Sequence, residues 1–341
     1  MIYAVTGATG HVGYNLIKKL AEKNKKIRAF VLPNDNTTIL DNFNIEIIYG
    51  DITDKSSIYP LFETDNEKIT LIHLAGIINI NNKVDDRLVE VNVNGTKNVI
   101  DIAIEKKVDH IVYSSSVHAI KEEKNKGLIT ETETFDSSLV VGAYAKTKAE
   151  ATKYVIKKLN EGYPITIVHP SGIIGPYDYN KGHMTKLIEK YLNRTLGSRV
   201  TGGYDFVDVR DVVSAIYQLA ENKITGTYIL SGHYVSLKDF FQNLRTLSGR
   251  KRRIAVFANK FVRMLTPIIE CYYKIKGKPP LFTKYSLYTL QSNSNFSNEK
   301  IKSVIEYNPR SISETLYDTA VWLIDEKHLT HRKTIDYLKG L

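Results

Sequence analysis

Tyr144 and Lys148 stand four residues apart in Tyr-Ala-Lys-Thr-Lys, where a helical pattern begins that runs to Leu159. At that spacing both side chains project from one helix face. An ammonium beside a phenol stabilises the phenolate and lowers a pKa that starts near about 10. This brings the tyrosine toward general acid–base work at neutral pH. Alone the pair is weak, because such spacing is common on solvated helices and this chain holds 22 tyrosines. Ser114, Ser115 and Ser116 strengthen it: they follow the apolar run Ile111–Tyr113. A hydroxyl there falls at the carboxyl end of a strand, within reach of a ligand carbonyl; the plainer role of a serine run is turn chemistry.

A third group stands at the start of the chain. Gly7, Gly10 and Gly13 follow the apolar run Ile2–Val5 and precede Val12, Leu16, Ile17 and Leu20 on one helical face. Period two gives way to period 3.6 across the glycines, which reads as strand, tight turn and helix. Glycine lets a backbone approach a pyrophosphate closely, and the helix start offers unpaired N–H groups and a positive dipole end.

The elements that must position these groups alternate along the first half. Strand-like runs are Ile27–Leu32, Ile45–Tyr49, Thr70–Leu74, Ile111–Tyr113 and Ile165–Val168; the clearest helical patterns are Asp85–Lys106 and Tyr144–Leu159. Repeated β-α units predict an α/β fold, a doubly wound parallel sheet with helices on both faces. Ligands then bind at the carboxyl ends of the strands, where strand order reverses. From about Pro170 glycine and proline break the chain into short pieces, before a helix over Val209–Glu221 and a strand over Thr227–Leu230 return to the sheet. The expected division is discontinuous: residues 1–170 plus 205–232 form the dinucleotide-binding domain, and 171–204 plus 233–341 a smaller, mostly helical substrate-binding cap.

Composition sets the outer limits. At 341 residues, 43% hydrophobic and 25% charged, the chain is an ordinary globular protein with room for a full core. The lone cysteine, Cys271, excludes an internal disulfide and suits a reducing cytoplasm. The chain opens directly into a strand, which leaves no room for a signal peptide. The most membrane-like stretch, Phe257–Ile275, is interrupted by Lys260, Arg263, Pro267 and Glu270, so no membrane span is expected. No metal-ligand pattern stands out. Of the net charge of +10, the segment Arg245–Lys278 carries ten Lys/Arg against Glu270, ten minus one or +9. Such a field steers anionic substrates, a phospholipid surface or nucleic acid. The favoured reading is a solvated exterior around Gly249–Arg253, with no nucleic-acid partner, because no aromatic-and-basic motif accompanies it.

Together these stretches resemble the extended short-chain dehydrogenase/reductase superfamily, in its NAD-dependent epimerase/dehydratase family and dihydroflavonol-4-reductase-like branch. The likeness runs in order through Thr6–Gly13, Gly50-Asp51, His73–Gly76, Asn92–Thr96, the serine run, Tyr144–Lys148, His169–Pro176 and Phe206–Asp211, covering residues 1 to about 235. It implies a Rossmann-type fold and an NAD or NADP cofactor. The cofactor turn would comprise Gly7, Thr9, Gly10, His11, Val12 and Gly13. By the same likeness Ser116 polarises the substrate oxygen, Tyr144 moves the proton, and Lys148 lowers the tyrosine's pKa and holds the nicotinamide ribose. Asp51 meets the adenine edge with Ile52 beside it. Leu74, Ala75, Gly76 and Asn92 line the cofactor, and Pro170 and Ser171 shape its nicotinamide side.

His73 also reads as a core histidine, Asn92 as a residue bonding its own helix, and Asp208, Arg210 and Asp211 mainly as a polar anchor and helix cap. Two departures matter. The second strand ends Phe30-Val31-Leu32, leaving Asp35 to curl back toward NAD and Arg28 too early to favour NADP, so the choice stays open. His169 stands where many relatives carry arginine. The resemblance implies a reductase of ketones or aldehydes, with a nucleotide-sugar epimerase or dehydratase and a non-catalytic dinucleotide sensor as alternatives. Through Asp85–Lys106 and Tyr144–Leu159 it also implies a homodimer.

Overall fold

The computed structural model describes residues 1–78, 84–264 and 283–340. Cys271 and the part of the membrane-like and basic stretches beyond residue 264 lie outside the described residues. Seven strands form one parallel sheet: β1 (Ile2–Thr6), β2 (Lys26–Val31), β3 (Glu46–Tyr49), β4 (Ile69–His73), β5 (His110–Ser114), β6 (Ile165–Pro170) and β10 (Gly226–Leu230). Their order is β10-β6-β5-β4-β1-β2-β3. It reverses between β1 and β4, so the strand ends part there and leave a crevice.

Alternate side chains of these strands enter two cores. Ala4, Leu71, Ile111 and Ile167 face one, and Tyr3, Val5, Ile72 and Val112 the other. A strand buried on both faces reads as an unbroken apolar run, which is why the central strands β1, β4, β5 and β6 were visible in the sequence; the edge strand β3 is exposed at Glu46 and Tyr49. Helices α1 (His11–Glu22) and α7 (Val209–Glu221) cover the second face, and α4 (Thr96–Glu105) and α5 (Ala143–Asn160) the first. The short α2 (Lys55–Ile58) follows β3, with Asp54 as its cap.

The helical pattern expected over Asp85–Lys106 is interrupted. It comprises α3 (Asp86–Val89), a π-helical segment Glu90–Gly95, and then α4. The wider turn moves Asn92 out of register with the helix, and such bulges cluster at functional sites. Gly95 closes the packing here, since a Cβ would lie 2.7 Å from the Ile52 side chain.

The remainder packs around a third core that includes Ile188, Phe206, Phe240, Leu316 and Leu323. It contains a sheet of β7 (Gly172–Ile174), β9 (Gly203–Asp208) and β11 (His233–Ser236), and a ribbon of β8 (Ser198–Val200) with β12 (Ala255–Phe257). Around them lie α6 (His183–Leu192), α8 (Leu237–Leu247), the described part of α9 (259–264), α10 (Lys284–Thr289), α11 (Glu299–Lys302), α12 (Ile312–Asp325) and α13 (Arg332–Lys339). Asp208 caps α7 through the Arg210 N–H at 2.8 Å, pairs with the Arg210 guanidinium at 2.6 Å and accepts from Thr315. Asp211 pairs with Arg310. These two carboxylates anchor α12 to the sheet domain, the structural part expected of them.

Candidate active site

The glycine turn is built by exclusion of side chains. Gly7 has φ +70°, and its own Cβ would sit 2.8 Å from the Ala75 nitrogen. A Cβ on Gly13 would lie only 2.0 Å from the Gly7 carbonyl oxygen, so α1 rests directly on the turn. Gly10 caps α1 without a side-chain hydrogen bond, and the first turn holds no acid. The unpaired N–H groups and the positive dipole end therefore face the crevice, the condition for holding a pyrophosphate. Thr9 donates to the Asp35 carboxylate at 2.8 Å, which draws Asp35 back to the turn. His11 donates Nε2–H to the Pro176 carbonyl at 3.0 Å, and burial depresses its pKa. Val12 packs against the second core.

The end of β4 is tied to the end of β1. Thr6 Oγ1 accepts the N–H groups of Leu74 and Ala75, each at 3.2 Å. With both lone pairs used, its own proton goes to His73 Nδ1 at 2.7 Å, leaving His73 Nε2–H for Thr96 at 3.1 Å. His73 is thus a neutral core histidine, with a pKa lowered to about 3 chiefly by burial. Asn92 does more than bond its own helix. It accepts from Ile77 N at 2.8 Å and donates to Ile77 O and to Thr147, pinning the segment after Gly76 to α5.

Lys148, Tyr144 and Ser116 meet at the carboxyl end of β5. The Lys148 ammonium is 5% exposed, donates to the Ser114 carbonyl at 2.8 Å and lies 5.2 Å from the Tyr113 ring centre. Burial lowers its pKa to about 8. The Ser116 side chain tends to lower the Tyr144 phenol's pKa, but burial dominates and pushes the phenol up to about 12. The spacing of tyrosine and lysine suggested a lowered phenol; burial raises it instead in the protein by itself. Ser115 and Thr152 lock the serine loop onto α5, since Thr152 donates to the Lys148 carbonyl and so accepts from Ser115 at 2.6 Å.

Asp51 and Ile52 stand apart from this group, at the end of edge strand β3. Four strand spacings separate β3 from β5, about 19 Å. Asp51 accepts the N–H and hydroxyl of Thr53 at 2.9 and 2.8 Å, and Ile52 is buried against Gly95. Pro170 ends β6, and the Ser171 hydroxyl is buried beside Asp205, whose pKa burial raises to about 6. The residues fit an extended dinucleotide: an uncapped helix start at the middle, strand-end backbone on either side, and Gly76. A Cβ on Gly76 would stand 3.5 Å from the Lys148 ammonium, in space the bare glycine leaves free.

Three residues escaped sequence reasoning. His118 stacks on Tyr204 (5.6 Å, 12°), bonds its hydroxyl at 3.1 Å, and meets Tyr144 edge-on at 6.2 Å. The His118 N–H donates to Ser116 Oγ at 3.2 Å. Tyr285 closes the group from α10, 5.9 Å from His118, and its ring fills the space where a side chain on Gly142 would lie. Tyr204 and Tyr285 come from cap segments with no local motif; only the position of His118 next to the serines was a signal. Beside this group lies a cavity of about 240 Å³, walled on one part by Val117, Ile120, Val140 and Phe296 and on the other by polar groups that include Lys121, Glu122 and Asn293. The Glu122 carboxylate is held by the Tyr288 hydroxyl and by Asn293 N. Underneath, His169 is fully buried. Its Nδ1–H donates to the Ser116 carbonyl at 3.2 Å while Nε2 accepts from Thr227 at 2.8 Å. It orients the serine and touches no phosphate site.

A doubly wound parallel sheet whose reversal point carries a glycine turn and an uncapped helix defines a Rossmann-type dinucleotide-binding enzyme. The chain belongs to the NAD dependent epimerase/dehydratase family, whose model matches residues 3–230, and with it to the extended short-chain dehydrogenase/reductase superfamily. Its cofactor is accordingly a nicotinamide dinucleotide. It is 28% identical to sterol demethylase protein B of Methylococcus capsulatus over 327 residues, 94% of this chain and 98% of that protein. Identity to the decarboxylating sterol-4-alpha-carboxylate 3-dehydrogenase of Schizosaccharomyces pombe is 25% over 338 residues, covering 94% and 96% of the two chains. The crystal structure of gox2253 superimposes with a TM-score of 0.82 at 27% identity, covering 96% of this chain and 99% of that one.

Proposed function

We propose that the protein reduces a ketone or aldehyde with NAD(P)H, with Tyr144 as proton donor, Ser116 as the group that polarises the carbonyl, and Lys148 as the ammonium that stabilises the departing charge. The carrying observation is that Ser116, at the carboxyl end of β5, lies against Tyr144, one helix turn from the buried Lys148. Bound nicotinamide supplies the hydride at its C4. The phenol, pushed up to about 12, stands protonated at neutral pH and so is set as an acid. It passes its proton to the oxygen that becomes the alcohol. The Ser116 hydroxyl donates to the same oxygen, and the Lys148 ammonium offsets the phenolate left behind. The adjoining cavity mixes apolar and aromatic walls with polar groups such as Lys121, Glu122 and Asn293, and favours a substrate whose carbonyl sits on a partly apolar body that also carries polar groups. Asp35, drawn to the glycine turn, supports NAD over NADP.

The test is Tyr144→Phe assayed with NADH and NADPH on a panel of partly apolar ketones and aldehydes. A drop in kcat of roughly 100- to 10,000-fold is expected at unchanged thermal stability; unchanged turnover removes the mechanism. A second reading, nucleotide-sugar epimerisation or dehydration, draws on the family's own description. It requires cofactor retained through purification, whereas ready exchange fits a reductase. The proposal also takes the protein to be a cytoplasmic homodimer, paired through Asp85–Lys106 and α5. Light scattering at micromolar concentration should give twice the 38.7 kDa chain mass, and a monomer mass contradicts the pairing.

A further inference from the structure

Far from the serine, tyrosine and lysine, a concavity of about 500 Å³ is lined by Arg194, Arg250, Lys251, Arg252 and Lys333 with no carboxylate in its wall. None of these five cations has an ion-pair partner among the described residues, in contrast to Lys25, Arg28, Arg210 and Lys223 elsewhere. Arg250 is fixed in place, its guanidinium 5.0 Å from the Tyr191 ring centre and reaching the Leu196 carbonyl. Gly249 (φ +57°) lets the chain turn against Tyr337, where a side chain would meet the ring at 2.7 Å. Arg332 and Lys333 occupy the first turn of α13, which contains no acid. Cations at the positive end of a helix dipole are mildly unfavourable, and a nearby anion relieves this.

The same segment runs on into exposed apolar groups. Ala255 N bonds Gly197 O and Thr201 N bonds Phe257 O, so residues 255–257 lie alongside 197–201 as one ribbon, and the Arg250 side chain reaches Leu196 just before it. The basic concavity is at one end of it. At the other, Val256 and Phe257 are 49% and 45% exposed, followed by Phe261 at 50% and Met264 at 68%. Apolar side chains left roughly half or more in water, 45–68% exposed, next to unpaired cations do not describe a plain solvated exterior. Charge for anionic headgroups beside side chains for the acyl boundary is the pairing that holds a protein on a bilayer without crossing it.

We propose that this face, from Arg194 and Arg250–Arg252 through Phe257 to Phe261, docks the protein on a membrane rich in acidic phospholipid. The test is flotation of the full chain with phosphatidylcholine vesicles, with and without phosphatidylglycerol, at low and high salt. Binding to the acidic vesicles alone, released by salt, is expected. Lys251→Ser, Arg252→Ser and Lys333→Ser, all on exposed positions, should together weaken partitioning about 100-fold. Phe257→Ser with Phe261→Ser should weaken it while preserving the preference for acidic lipid. Unchanged melting temperatures show that the variants are folded. Failure to float, equal binding to neutral vesicles, or displacement by inorganic phosphate at constant ionic strength overturns the proposal, the last by marking a site for a free anion. No outcome depends on turnover, so the result stands apart from that of the Tyr144 variant.

Discussion

Burial acts in opposite senses on the two titrating groups of the site. It raises Tyr144 to about 12 and lowers Lys148 to about 8, because each charged form loses water on entering the fold. For Lys148 the stability consequence has a definite sign. The unfolded lysine binds its proton up to about 10.4, whereas the folded one releases it near 8. The cost of burying the ammonium is therefore fully present below pH 8 and is relieved as pH rises from there toward the unfolded value. Lys148→Met should lose most turnover yet melt no lower than the parent at pH 7, and its stability should lack the parent's gain between pH 8 and 10. Calorimetry across that range measures both. A lower melting temperature at pH 7 would mean that the bond to the Ser114 carbonyl outweighs the cost of burying the charge.

Among the elements, the contact between α1 and the glycine turn leaves no room for a side chain. Gly13→Ala places a Cβ 2.0 Å from the Gly7 oxygen, so the helix must lift off the turn that its N–H groups serve. A loss of about 1–3 kcal/mol is expected, together with weaker binding of NADH in a fluorescence titration. Gly197→Ala is the control. Nothing lies within 4 Å of its added Cβ, and the change should stay within about 0.5 kcal/mol. The π-helical segment Glu90–Gly95 works at the same scale, turning Asn92 toward the loop after β4 instead of along its own helix.

The whole molecule stores a sensitivity to acid. His73, His110, His118 and His169 are held neutral, with pKa values lowered chiefly by burial to about 3, 4, 4 and 4. Unfolded histidine takes up its proton near 6.5. The unfolded state binds more protons between pH 6.5 and 4, so stability is complete above 6.5 and declines as pH falls through that window. The four together should remove several kcal/mol by pH 5, seen as a steep fall in melting temperature. A flat profile between pH 7 and 5 would show that these side chains are not buried neutral. Three of the four tie strand ends of the sheet to one another or to the serine loop, so acid unfolding should take the active site with it.

The strands, the glycine turn, and the helix that carries both Tyr144 and Lys148 were legible in the chain because they follow from local periodicity and spacing. A strand covered on both faces is apolar throughout, and a helix returns every fourth residue to the same side. Such patterns stay within a few residues and need no partner to be read. What depended on contacts between distant segments was settled only by folding. Tyr204 and Tyr285 reach His118 across the chain, Asn92 is redirected by a π-turn, and His169 becomes a support for Ser116. The phenol's pKa belongs to this second group too: spacing places a lysine one helix turn away, but the burial that raises the phenol exists only once distant segments have packed around it.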